Sequence, residues 1–370
     1  PTSGPPATGR RGTGIELLSL ALLAYVPFLL SSPGRVTPDS KNYLYIDPAR
    51  MLGRAAAMWD ANIGFGTVTH QNIGYLFPMG PWYLAFERLG VPDWVAQRLW
   101  LGTIVAAAGF GVVYLARSLG VRGPGVAVSV LAYMFSPYSL HYAARISVLL
   151  GPWAALPWML GLTARALRQP RAWYYPACFA LVVQVVGGVN ATALIFAGLG
   201  PVLFIAWEWL VARSVSWRDV GALVLRIGVL TLATSAWWIA GLSLQGAYGL
   251  DILRYTETVK AVARTSLPNE VLRGLGYWFF YGRDRLGSWI EAAPNYTQRP
   301  RIIFTSYLIP SLAMVSAGFV RWRRRGFFVV LTVVGVVIAV GAHPYARPTP
   351  LGAVFKAFAN SSTAGLALRS

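Results

Sequence analysis

Between residues 35 and 60 the chain places three carboxylates, Asp39, Asp47 and Asp60, among the cations Arg35, Lys41, Arg50 and Arg54. Carboxylates are scarce here, 13 Asp and Glu against 32 Lys and Arg, so their gathering in one short stretch invites a chemical reading. A carboxylate can take a proton from an attacking hydroxyl as a general base, or face an oxocarbenium-like centre during sugar transfer. Asp39 suits that role, and Lys41 two residues on would keep it ionised. The competing reading of Asp39 is a turn residue, since Thr-Pro-Asp-Ser is a good turn sequence. Asp47 is the rival base, although an Asp directly before Pro48 also has the form of a helix N-cap. Lys41, Arg50 and Arg54 can hold a phosphate, Arg in bidentate fashion and Lys as a point charge. Arg50 and Arg54 stand four apart and share one helix face; the alternative for both is snorkelling to lipid headgroups.

Further along, His141 and Arg145 at the outer end of an apolar segment could close the phosphate site from a second helix. Asp60, His70, Trp82 and Tyr83 are candidates for holding an acceptor sugar, through hydrogen bonds or by stacking on its apolar faces. No HExxH, paired His or DxD pattern occurs, so no metal ligands are assigned and no cofactor is named. A divalent cation shared between loop carboxylates and a substrate phosphate is the alternative. The single Cys178 lies in an apolar run and reads as packing.

These residues must be positioned by elements of a particular kind. Of 370 residues, 56% are hydrophobic and only 12% charged, with mean hydropathy +0.52. Soluble domains carry roughly 25% charged residues. Apolar runs of spanning length recur without strand-like alternation, which predicts an all-α polytopic membrane protein. About nine spans are expected, near 15–32, 94–115, 125–142, 146–167, 173–189, 191–211, 220–242, 302–320 and 327–341. Residues 1–14 form a cytoplasmic tail, and two long outer loops, 32–92 and 243–301, contain amphipathic helices, one of them at 48–60. The net charge of +19 is read as arginines flanking spans rather than as a nucleic-acid surface. The short loops assigned to the cytoplasm are all basic: Arg117 and Arg122; Arg165, Arg168 and Arg171; Arg213 and Arg218; and the RWRRRG run from Arg321 through Arg325. That run could also dock an acidic cytoplasmic protein. Ten of the 13 carboxylates then fall in or beside the two outer loops, where insertion into a bilayer does not need them.

The segments GRVTPDSKNYLYIDPARML and MWDANIGFGTVTHQNIGYLFPMGPWY carry a resemblance to the mycobacterial α-(1→3)-arabinofuranosyltransferase family, AftD, and the likeness continues through most of the chain. Such proteins are GT-C glycosyltransferases: transmembrane helix bundles with a catalytic Asp in the first periplasmic loop and a polyprenyl-phosphate sugar donor. The resemblance implies that residues 15–370 are a GT-C catalytic domain in the plasma membrane, its active site facing the periplasm. It implies decaprenyl-phospho-arabinose as donor and the arabinan of arabinogalactan and lipoarabinomannan as acceptor. The family's aspartate falls on Asp39, with Asp47 second. The family's large periplasmic region is missing, so the chain is expected to be truncated at its C-terminus.

Other functions share parts of this layout. A polyprenyl-sugar transporter or flippase would also have many spans, but it predicts charges near the membrane midplane, where these spans have almost none. A scaffold without chemistry would tolerate loss of Asp39, Asp47 and Lys41 together. A GT-C enzyme for another sugar has the same plan.

Overall fold

The computed structural model describes residues 8–39, 41–69, 72–251 and 255–361. The chain is a bundle of apolar helices with two long folded loops. The first helix, α1 (Thr8–Leu30), leads into the first loop, which holds α2 (Tyr43–Ile46), α3 (Pro48–Ala55) and α4 (Met79–Arg88). The bundle continues with α5 (Asp93–Ser118), α6 (Pro124–Met134), α7 (Pro137–Ala143), α8 (Leu150–Arg168), α9 (Tyr174–Gly187), α10 (Ala191–Ala206) and α11 (Trp217–Tyr248). The second loop contains α12 (Val259–Thr265), α13 (Pro268–Leu272) and α14 (Ala293–Gln298), and α15 (Pro300–Phe319), α16 (Arg325–Val340) and α17 (Pro350–Ser361) follow.

Helix α5 is the central pillar, packed against α1, α6 and α8, while α8 in turn packs against α9 and α10 and α9 packs against α11. Its sequence prepares it for that place. Asp93 stands in its first turn and Arg117 in its last, each complementing the helix dipole. At 32 residues, α11 is about 48 Å long at 1.5 Å per residue. Helix α15 buries none of its residues against the rest of the chain, as a lipid-facing helix does.

Five helical segments among the described residues have the length and apolarity of a membrane span: Asp93–Ser118, Ser147–Arg168, Ala191–Val211, Trp217–Tyr248 and Pro300–Phe319. Glu16–Leu30, Tyr174–Gly187 and Arg325–Val340 are apolar but shorter. The expected span at 125–142 is not one helix. It divides into α6 and α7 because Pro137 holds Ser136 extended, at φ −62° and ψ 150°, and the Ser136 hydroxyl caps the new helix at the Ser139 N–H. Helix α6 has 11 residues, about 16 Å.

The first loop also departs from the expected helix at 48–60. Helix α3 stops at Ala55, Met58 turns at φ +56°, and β1 (Trp59–Asp60) pairs antiparallel with β2 (Thr67–Val68). Met51 and Ala55 are buried as the helical spacing requires, whereas Trp59 is 56% exposed, so the apolar face ends with the helix. The second loop has a matching hairpin, β3 (Arg283–Asp284) with β4 (Gly287–Ser288). Leu44, Tyr45, Met51, Tyr75, Met79 and Tyr83 form a core under the first loop, which makes it a folded layer rather than a tether.

Candidate functional site

The route to Asp39 is fixed from below by α5. Gln97 and Arg98 grip Thr37: the Thr37 N–H donates to Gln97 Oε1 at 2.8 Å, Gln97 Nε2 donates to the Thr37 carbonyl at 2.9 Å, and Arg98 Nη1 donates to Thr37 Oγ1 at 2.6 Å. Arg98 Nη2 also donates to the Arg35 carbonyl at 3.2 Å. Two buried polar side chains on a spanning helix thus hold the backbone just before the aspartate.

Asp39 itself is buried, at 1% exposure. Its carboxylate accepts from the Ser147 N–H at 2.8 Å and from the Ser147 hydroxyl, and Tyr45 Oη donates to its main-chain carbonyl at 2.5 Å. Ser147 opens the 3-10 turn (Ser147–Leu149) that leads into α8. A buried carboxylate is tolerated only when hydrogen-bonded, and here the partner lies 108 positions away. Tyr83 stands edge-on to Tyr45, ring centroids 4.9 Å apart, and its hydroxyl has no hydrogen-bond partner among the described residues. Burial pushes the Tyr83 phenol well above its ordinary range, and Tyr45 and Asp39 push it further. It therefore stays protonated, a buried donor close to the aspartate.

Lys41 donates to Asn72 Oδ1 at 2.5 Å and lies over the rings of Tyr43 and Tyr75, 5.7 and 5.8 Å from their centroids. Burial lowers its pKa to about 8. Asn72 begins a 3-10 turn (Asn72–Leu76) that is wedged against the corner between α9 and α10. A Cβ on Gly74 would lie 2.1 Å from the Gly188 carbonyl oxygen, so only glycine permits this approach.

The other residues singled out in the sequence take separate places. The Asp47 side chain accepts from the Arg50 N–H at 2.9 Å and caps α3, the structural reading of Asp-Pro. Arg50 is exposed, and Arg54 pairs with Asp60 at 3.5 Å, its charge committed to the hairpin rather than to a phosphate site shared with Lys41. Asp60 also accepts from the Asn62 N–H and side-chain amide, which together with Arg54 draw its pKa down and tie the hairpin. Trp82 donates to the Ala96 carbonyl at 3.2 Å and packs on Phe86 and Trp100, locking α4 to α5. His70 lies outside the described residues. Arg145 donates to the Trp289 carbonyl at 3.1 Å and covers the Phe279 ring, joining α7 to the second loop. In the RWRRRG run, Arg324 is drawn inward to Glu208 at 2.8 Å.

His141 is enclosed by Tyr138, Tyr142, Tyr277 and Phe280. Its Nδ1 meets the Pro137 carbonyl at 2.8 Å, and because a carbonyl can only accept, Nδ1 carries the proton. Nε2 is buried with no partner among the described residues. The ring lines a largely apolar cavity of about 530 Å³ among α7, α8, α10, α12, α16 and α17, a volume in the usual range of ligand sites. The Ser147–Leu149 turn connects the two features: Ser147 holds Asp39, and Leu149 lines the cavity. Among the described residues no three His, Cys, Asp or Glu side chains converge as metal ligands would.

Sequence reasoning missed Ser147, Gln97, Arg98 and Asn72. Gln97 and Arg98 did carry a signal, two polar residues on the inward side of an otherwise apolar span. Ser147 and Asn72 carried none.

The sequence model of the family described as alpha-(1->3)-arabinofuranosyltransferase, N-terminal GT-C domain, matches residues 23–369. The alpha-(1->3)-arabinofuranosyltransferase of Mycobacterium tuberculosis (strain ATCC 25618 / H37Rv) is 31% identical over 351 residues, 92% of this chain and 24% of that protein. That of Mycolicibacterium smegmatis (strain ATCC 700084 / mc(2)155) is 28% identical over 343 residues, 90% of this chain and 23% of that protein. The chain thus spans about a quarter of the length of these relatives. A single-particle cryo-EM structure of arabinofuranosyltransferase AftD from mycobacteria has the same fold, with a TM-score of 0.69 at 23% identity over 96% of this chain and 26% of that one.

Proposed function

Because the chain belongs to the family of N-terminal GT-C domains of the α-(1→3)-arabinofuranosyltransferases, we propose that it is the catalytic membrane domain of an arabinofuranosyltransferase. The donor is decaprenyl-phospho-arabinose and the acceptor the arabinan of arabinogalactan or lipoarabinomannan. Residues 15–370 form the domain, in the plasma membrane, with both long loops on the periplasmic face.

The observation that carries this reading is Asp39. It is a buried carboxylate at the outer end of the bundle, two residues from a cation and joined through one 3-10 turn to an apolar cavity. Ser147 holds the carboxylate in place with one contact to each oxygen. In the reaction the donor's isoprenoid tail occupies the cavity and its phosphate meets Lys41. An acceptor 3-hydroxyl gives its proton to Asp39 as its oxygen attacks C1 of the arabinosyl group. The C1–O bond to phosphate breaks, the lipid phosphate leaves with the bonding pair beside the Lys41 ammonium, and the anomeric centre inverts.

The test is Asp39→Asn, assayed in the purified full-length protein with synthetic lipid-phospho-arabinose and a short arabinan. Loss of general-base help predicts a fall of about 10²–10⁴ in kcat, with an unchanged gel-filtration profile. Full turnover by Asp39→Asn would remove Asp39 from the mechanism and move the base to Asp47.

A further inference from the structure

A second, smaller concavity opens on the outer face beside Lys41. It measures about 180 Å³ and is walled by the β1–β2 hairpin, the Asn72 turn and the outer end of α11. We propose that this pocket is a subsite for one pentofuranose ring, a reading that rests on the transferase function and names the sugar-holding residues of the same site.

Size comes first. About 180 Å³ holds roughly six waters at ~30 Å³ each, the space of one sugar ring and not of an oligosaccharide. The lining comes second. Lys41, Thr67, Asn72 and Gln245 bring hydrogen-bonding groups from four separate segments, while Tyr43, Val68 and Leu250 supply apolar surface. That mixture matches a sugar, whose hydroxyls need donors and acceptors and whose C–H faces need apolar contact. Among the described residues no carboxylate lines the pocket, which argues against a divalent cation as its occupant.

The third point is preorganisation. Asn72 Oδ1 accepts from both Lys41 Nζ, at 2.5 Å, and Tyr43 Oη, at 2.9 Å. The amide is thereby oriented, and its two N–H donors have no protein partner among the described residues. The turn that carries Asn72 has little room to shift. Gly74 abuts the Gly188 backbone, and a Cβ on Gly241 of α11 would lie 2.7 Å from the Ile73 side chain. The polar edge of the pocket is therefore built onto the rigid bundle, as a specificity-determining contact must be. A pentofuranose could arrive as the donor's sugar or as the terminal residue of the acceptor.

The experiment uses the full-length protein in nanodiscs, with Asn72→Leu and, as a milder second variant, Thr67→Val. Saturation-transfer NMR with methyl α-arabinofuranoside reads binding without turnover, and a loss of signal in both variants is expected. Michaelis constants for donor and acceptor are then measured separately, and a rise of about tenfold in one is expected, the worth of one or two hydrogen bonds. A rise confined to the acceptor KM assigns the ring to the acceptor; a rise confined to the donor KM assigns it to the donor. Wild-type glycoside binding and unchanged constants in both variants would overturn the subsite. If the wild type transfers no arabinose yet its glycoside signal disappears in the variants, the catalytic reading fails and the subsite stands.

Discussion

Raising the pH through the Lys41 titration should separate its electrostatic role from its structural one. Burial brings the ammonium from its ordinary 10.5 to about 8. Burial raises the nearby Tyr43 phenol above its ordinary value and the Tyr83 phenol well above it, moving both away from the Lys41 titration. If the Lys41 charge holds the donor phosphate, kcat/KM for the lipid donor falls about tenfold per pH unit above pH 8. Stability runs the other way. Between pH 8 and 10.5 the unfolded chain keeps the Lys41 proton while the folded chain has lost it, so stability rises with pH by up to about 3 kcal/mol across that interval, at 1.36 kcal/mol per unit. Below pH 8 both states are protonated and this contribution is flat. The assay is a pH profile of kcat/KM beside thermal melts in the same buffers. Lys41→Arg keeps its charge past pH 10 and should lose the alkaline limb. The same limb in Lys41→Arg as in wild type would refute the reasoning.

Four further outcomes follow from the geometry. Ser147→Ala keeps the N–H but removes the hydroxyl from a buried carboxylate, which predicts a loss of about 1.5–3 kcal/mol in stability and a lower kcat with little change in KM, read by melts and steady-state kinetics. Gln97→Leu orphans the Thr37 N–H and leaves the Thr37 carbonyl only the Asp39 N–H; a stability loss of about 1–3 kcal/mol is expected, and a neutral result would deny the clamp. Asp47→Ala should cost about 1 kcal/mol as a lost cap while retaining turnover, and a collapse of kcat matching that of Asp39→Asn would reassign the base. Gly74→Ala should displace the Asn72 turn, because its Cβ meets backbone at 2.1 Å, and should weaken donor binding with little loss of helix content by circular dichroism.

Local chemistry was legible in the sequence, and long-range chemistry was not. Asp47 before Pro48 reads as a cap and is one, because the cap and its target lie three residues apart. The two long loops stood out because carboxylates are rare outside them, and the segments that resembled the arabinofuranosyltransferase family led to the family that residues 23–369 match. Ser147 could not be read, since nothing in ARISVLLG announces that its serine will meet an aspartate 108 positions earlier. Hydropathy marked the apolar segments but overlooked the Ser136-Pro137 break, a local signal that the surrounding apolar residues masked. The two hairpins have strands of two residues, too short to show any alternation. Arg50 and Arg54 share a face as expected, yet Arg54 turns to Asp60, a partner that exists only because the helix stops five residues before it.

The length of α11 sets an altitude for the chemistry. A rod of about 48 Å is longer than ~30 Å of hydrocarbon is thick, so α11 extends past the lipid tails at one end or both. Gln245 lies in its last turn. In the proposed reaction, emergence of the Gln245 end would let a water-borne acceptor meet a lipid-borne donor at that height.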